Sequence, residues 1–146
     1  MPVYELEPHG GVGPVRLGAS RDDVRAAAPD PPDPFQKDPS DPYEVDVFDP
    51  LGLHVHYAGD RPAAEFVEAF AAEGVTLTLY GVDPLRQPAA TVVAALAARH
   101  EVVEEEEGCS FVVPEIDVSL WRPSPGDEAF EAVGVGTAGY FGGVAV

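Results

Sequence analysis

The stretch Gly13-Pro14-Val15-Arg16-Leu17-Gly18-Ala19-Ser20-Arg21-Asp22-Asp23-Val24-Arg25 decides how the fold begins. Its first part, Pro14 to Leu17, predicts a short strand. Ser20 predicts a helix N-cap, because its hydroxyl can accept a hydrogen bond from an unpaired amide of the first helical turn. The acidic residues that follow it lie where the helix dipole favours negative charge. We therefore expect a strand, a tight turn and a helix over about 21–28.

Outward from this stretch, local patterns predict strands more often than helices. Pro29 ends the first helix, and a loop rich in Pro and Asp follows over 29–42. Beyond it, alternating or β-branched runs predict strands, and the segment from Pro88 to about Arg99 predicts a second helix. These strands fall at Val3–Glu7, Glu44–Phe48, Leu53–Tyr57, Val75–Tyr80, Val102–Glu106, Ser110–Val113, Val118–Trp121 and Phe130–Val135. The residue types of Ala64–Phe70 also suit a helix, but its position after a hairpin favours a third strand.

The order of these elements predicts an internal repeat. A strand, a turn, a helix and a three-stranded meander occur once over 12–70 and again over 75–136. Sequential strands usually pair with their neighbours, so each meander should be antiparallel and covered by one helix. We expect an α+β fold in which two helix-plus-antiparallel-meander repeats form one compact domain over 1–146.

Composition narrows the classes of function. The chain has 26 acidic and 8 basic residues, for a formal charge of −18. Such a surface repels phosphate, so we expect neither nucleic acid nor membrane as a partner, but a basic protein would be attracted. No run approaches the length of a membrane helix, and the first residues lack a signal-peptide pattern, which predicts a cytoplasmic protein. One cysteine, Cys109, allows no internal disulfide.

The opening stretch also resembles a known group of proteins. Leu17-Gly18-Ala19-Ser20-Arg21-Asp22-Asp23-Val24 resembles the phrase that begins each repeat of small bacterial tandem-repeat proteins with a β-lactamase-inhibitory-protein-like or BamE-like fold. Ala19 stands where Met is usual. Gly11 to Pro14 and Ser119 to Pro123 resemble segments of other bacterial proteins. The resemblance implies a layered helix-and-sheet fold whose sheet face binds other proteins.

One candidate site lies on the first predicted hairpin. His54 and His56 are two residues apart on a strand, so both rings project from one face. We expect Glu44, Asp46 and Phe48 to project from the same outward face of the partner strand. Two imidazoles beside two carboxylates could hold a divalent metal, preferably zinc, or form cross-strand charge pairs on a solvated face.

Another candidate is Trp121, which alternates outward from Val118 and Leu120 and is the kind of aromatic anchor that dominates interfaces. It could equally be covered by the Pro123 loop or by Tyr140 and Phe141. No nucleophile, phosphate loop or cofactor motif stands out. We therefore expect a non-catalytic protein-binding module without a cofactor, such as an immunity-type inhibitor of a basic protein. The alternative is a metal-binding protein or metal-dependent enzyme that uses the two histidines. The sequence predicts no oligomeric state.

Overall fold

Twelve β-strands and two α-helices form the part of the chain that this computed structural model describes, residues 3–36, 39–40 and 42–141. The helices are α1 (Arg21–Ala27) and α2 (Ala89–Ala97). The strands are β1 (Val3–Glu7), β2 (Gly11–Val12), β3 (Val15–Arg16), β4 (Asp33–Phe35), β5 (Val45–Phe48), β6 (Leu53–Ala58), β7 (Ala63–Phe70), β8 (Thr76–Thr78), β9 (Val103–Glu106), β10 (Ser110–Val113), β11 (Val118–Trp121) and β12 (Ala132–Gly136).

Eight of these strands form one antiparallel sheet, in the order β4-β5-β6-β7-β12-β11-β10-β9. Two hairpins of similar design lie on either side of the central β7–β12 pair. In each, a 3₁₀ turn (Asp49–Leu51 or Pro114–Ile116) and a left-handed residue join the strands. The left-handed residue is Gly52 in the first hairpin and Asp117 in the second. The sheet is therefore arranged symmetrically about its centre.

The core lies against one face of this sheet, which we call the inner face. A second sheet, of order β3-β2-β1-β8 with a parallel β1–β8 pair, contributes Leu6, Val12 and Val15 to the same hydrophobic cluster. Helix α2 contributes Val92 and Leu96, which are one turn apart and fully buried. The small sheet and the helices therefore cover the inner face, while the outer face is left for other contacts.

The α+β class and the helix-plus-meander repeats expected from the sequence are wrong. The two α-helices hold only seven and nine residues, whereas strands dominate the described chain. The meanders are also not separate units, because β7 pairs with β12 along five residues and joins them into one sheet. The fold is mostly β. This pairing spans more than sixty residues of sequence, so local alternation carries no signal for it.

Several predictions about local structure are confirmed. The Ser20 N-cap is confirmed, since its hydroxyl accepts a hydrogen bond from the Asp23 amide at 3.1 Å. The third strand predicted at Ala64–Phe70 is confirmed as β7. The segment 29–42 departs from the predicted loop, because β4 forms inside it and pairs with β5; positions 37, 38 and 41 lie outside the described residues. Among the helices described, none is long and apolar enough to span a membrane.

Candidate protein-binding face

The pairing register assigns each candidate residue to a face of the large sheet. Residues directly opposite each other in an antiparallel pair share a face. Asp46 lies opposite Val55, and Phe48 lies opposite Leu53, which is fully buried in the core. Asp46 and Phe48 therefore lie on the inner face, and the prediction that they project outward with the histidines is wrong. Glu44 is exposed and lies just before β5.

Asp46 is buried because helix α1 supplies its partner. Its side chain is 0% exposed, and it accepts hydrogen bonds from Nε and Nη2 of Arg25 at 2.8 and 2.7 Å. The Tyr57 hydroxyl donates a third at 2.7 Å. The bonds to Asp46 raise the pKa of Arg25, and burial followed by the same carboxylate raises the pKa of Tyr57. Asp46 thus fastens α1 to the sheet and cannot reach a partner.

Phe48 is equally inaccessible, since its side chain is only 2% exposed within the core. The alternation in β5 is misleading because Val45 and Val47, which alternate with the residues expected to project outward, are themselves on the outer face. Val47 pairs with His54 there. Both faces of this strand carry apolar residues, so apolar character alone does not indicate its orientation.

His54 and His56 do share the outer face, as predicted, but their neighbours differ from the prediction. His54 lies opposite Glu68, and its ring is 4.7 Å from that of Phe70. His56 lies opposite Phe66, with 5.5 Å between ring centroids in an edge contact. The carboxylate on this face therefore comes from β7 and not from β5.

The donor set required for a metal ion is incomplete in the described structure. Within residues 3–36, 39–40 and 42–141, no three His, Cys, Asp or Glu side chains are grouped so that they could hold an ion. His54, His56 and Glu68 each make a further interaction besides the contacts above. The metal-binding alternative stays a prediction, and elemental analysis of protein purified without a histidine tag tests it.

Trp121 lies on the outer face and is 39% exposed. Its direct neighbours there are small, because it pairs with Ser110 on one side and Ala132 on the other. Glu106 lies opposite Ser110, so its carboxylate belongs to the same row, two strands from Trp121 or about 10 Å away. At this end of the sheet, an exposed indole and an acidic side chain in the same row are therefore both accessible to another molecule.

The C-terminal aromatic residues cover another part of the outer face. Tyr140 stacks on Phe66 with 4.8 Å between ring centroids, and Phe141 contacts both rings edge-on. Gly134 allows this arrangement, since a Cβ atom there would lie 2.2 Å from Cζ of Phe66. This aromatic cluster was not foreseen from the sequence; the Gly-rich pattern of β12, opposite a Phe-rich strand, is the signal that indicates it.

A buried carboxylate holds this terminal segment in place. Asp117 accepts hydrogen bonds from the backbone amides of Gly139 and Phe141, both at 2.9 Å, and from the His9 ring at 2.8 Å. Burial raises the pKa of Asp117, but these three hydrogen bonds outweigh it, and the net pKa is lowered. The ionised Asp117 therefore connects the β1–β2 turn, which carries His9, to the chain around Tyr140.

Comparison with known proteins adds no assignment. No protein-family model, curated protein or solved structure matches the chain significantly.

Proposed function

We propose that this protein is a non-catalytic binding module for a basic protein, and that the partner docks on the outer face around Trp121 and Glu106. The observation that carries the proposal is the exposed indole of Trp121, which stands above small neighbours at the acidic end of the sheet. An immunity-type inhibitor of a basic toxin, acting in the cytoplasm, is its most concrete form.

Two physical effects support a basic partner. Tryptophans are enriched among the residues that dominate binding energy at interfaces, and the indole face attracts Arg and Lys by about 0.5–2 kcal/mol. The formal charge of −18 accelerates encounter with a cationic protein and discourages association with acidic ones. Because Asp46 and Phe48 are buried, the proposed contact surface contains neither.

The acidic residues at the edge of the sheet also favour a basic partner. Strand β9 is the outermost strand on the Trp121 side. Three of its four residues belong to the run Glu104-Glu105-Glu106-Glu107, which is exposed throughout. Like charges on an edge strand oppose pairing with a second copy of the chain. They do not oppose the approach of a surface rich in Arg and Lys.

The test is a binding measurement with matched variants. A basic protein retained from native extracts is identified, purified and titrated by calorimetry against the wild type, Trp121→Ala, Glu106→Gln and the control Glu73→Gln. Glu73 is exposed and remote in sequence from β9, so Glu73→Gln removes the same charge elsewhere. We expect a tenfold or greater loss for Trp121→Ala, a smaller loss for Glu106→Gln, and no change for the control.

Salt dependence provides the second readout. Affinity of the wild type should fall as ionic strength rises, and Glu106→Gln should flatten that dependence, because screening acts on exposed charges. The proposal is wrong if no basic protein is retained. It is also wrong if Trp121→Ala binds the retained partner as tightly as the wild type does.

A further inference from the structure

A small cavity near the end of the β6–β7 pair has three tyrosines among the eight described residues that line it. It has a volume of about 210 Å³, and its walls include Tyr43, His56, Tyr57, Glu65 and Tyr140. Pockets for drug-sized ligands typically measure about 300–1,000 Å³, so this one suits a single compact chemical group. It lies on the opposite side of the β7–β12 centre from Trp121 and is independent of the face proposed above.

The position of Glu65 comes from an irregularity in the sheet. In the pairing of β6 with β7, His56 lies opposite Phe66, whereas Tyr57 lies opposite Ala64. Glu65 therefore has no partner in β6 and forms a β-bulge, a feature that redirects a side chain. The Glu65 side chain is half-buried and lines the cavity. A regular ladder would not leave an extra carboxylate at this point.

The tyrosine walls are held by specific hydrogen bonds. The Tyr43 hydroxyl donates to the carbonyl of Gly59 at 2.7 Å. The Tyr140 wall is attached at both ends: the Thr137 amide donates to the carbonyl of Glu65, and the amides on either side of Tyr140 donate to Asp117. The same bulge that supplies the carboxylate thus also fixes the aromatic wall, so the cavity is preorganised.

The carboxylates near the Tyr140 wall of the cavity favour a cation there. Burial, and then the charges of Glu65 and Glu68, raise the pKa of Tyr140, which shows that negative potential acts on this wall. The Arg21 guanidinium lies 5.9 Å from the centroid of the Tyr43 ring, so this ring already takes part in a cation–π contact. Aromatic rings around a carboxylate are the surroundings in which ammonium groups bind, by cation–π attraction and charge.

From this geometry we infer that the cavity binds a compact ammonium group, with the rings of Tyr43 and Tyr140 around it and the Glu65 carboxylate as its counter-ion. The group can belong to a free small amine or to a lysine side chain, because both present the same chemistry. A quaternary ammonium gains most from the rings, since it is weakly hydrated and makes no hydrogen bonds that burial would break.

The decisive probe pair is choline and 3,3-dimethylbutan-1-ol, which have the same shape and differ in charge. Each is titrated into the full chain and followed by saturation-transfer NMR and calorimetry. We expect choline to bind at least tenfold more tightly than the uncharged isostere, equivalent to about 1.4 kcal/mol. A third arm uses Nα-acetyl-lysine methylamide: comparable binding indicates a lysine side chain as the source, and much weaker binding indicates a free quaternary amine.

Matched variants test the assigned roles. Glu65→Gln should weaken choline binding at least fivefold, whereas Glu73→Gln, which removes an equal charge from an exposed site, should leave it unchanged. Tyr140→Phe should retain binding because it keeps the ring, and Tyr140→Leu should lose it. Circular dichroism verifies that each variant is folded. Equal affinity for choline and its isostere, no binding of either, or equal effects of Glu65→Gln and Glu73→Gln would overturn the inference.

Discussion

Replacing Arg25 by Met tests how strongly the buried Asp46 depends on its partner. Methionine keeps most of the aliphatic length but removes two of the three hydrogen bonds that the 0% exposed carboxylate accepts. Removing one member of a fully buried ion pair costs about 3–5 kcal/mol. The Arg25 side chain is 36% exposed, so water partly screens the pair, and we expect a loss of about 2–3 kcal/mol.

A double-mutant cycle separates the charge from the packing. Asp46→Asn alone should also destabilise, because it removes charge-assisted hydrogen bonds worth about 1.5–3 kcal/mol. In Arg25→Met/Asp46→Asn the buried carboxylate is gone together with its partner. The loss in the free energy of unfolding should therefore be about 1–2 kcal/mol smaller for the double variant than the sum of the two single losses. Urea unfolding at neutral pH, followed by circular dichroism and by the single tryptophan, gives these values. A loss below about 0.5 kcal/mol for Arg25→Met, or simple additivity, would refute the reasoning.

Three further variants probe the rest of the fold. Gly134→Ala should lower the free energy of unfolding by about 1–3 kcal/mol, because the new Cβ forces the Phe66 ring aside. The loss should be much smaller in a Phe66→Leu background. Equal losses in both backgrounds would exclude the contact with Phe66 as the cause. Because the pKa of Asp117 is lowered on folding, its stabilising effect is complete above its unfolded pKa of about 3.9 and is lost as pH falls through the folded value. The stability gap between wild type and Asp117→Asn should therefore narrow as the pH falls below about 3.9, and an unchanged gap would contradict this. Leu96→Ala, at a 0% exposed position, should cost about 2–5 kcal/mol in the same unfolding assay, and a loss under 1 kcal/mol would show that α2 is not packed as described.

Features set by near neighbours in the sequence were predictable. The Ser20 cap and the turn at Asp49-Pro50-Leu51-Gly52 depend on residues within four positions of one another. Such local chemistry is encoded in the residue types themselves. The two histidines were placed on one face correctly for the same reason, since strand alternation needs no information from elsewhere in the chain.

Features that depend on distant partners were not predictable. The sequence predicts a surface carboxylate at Asp46, because no neighbouring residue shows that Arg25, 21 positions earlier, will pair with it. The fold class was wrong for a similar reason. Neighbouring strands pair as expected, but the β7–β12 and β1–β8 pairs join segments far apart in sequence, and they convert two expected units into a mostly β molecule.

The two hairpins show how the same local geometry serves different purposes. The residue after each 3₁₀ turn is left-handed, with φ of 68° at Gly52 and 51° at Asp117. A Cβ at Gly52 would lie 2.3 Å from the carbonyl oxygen of Phe70, so glycine is required there. Asp117 accepts a conformation that costs a side-chain-bearing residue about 1–2 kcal/mol. Three hydrogen bonds to its carboxylate offset that strain.

The contacts of the Asp117 carboxylate explain why this position has a strained, left-handed backbone. Two of the three hydrogen bonds to its carboxylate come from the amides on either side of Tyr140, and the third comes from His9. A glycine in its place would satisfy the turn but release the Tyr140 wall of the cavity. Strained residues concentrate where a structure must fix one element in a single position. The difference between Gly52 and Asp117 therefore indicates that the second hairpin is adapted to hold Tyr140 in place, as a preorganised ammonium site requires.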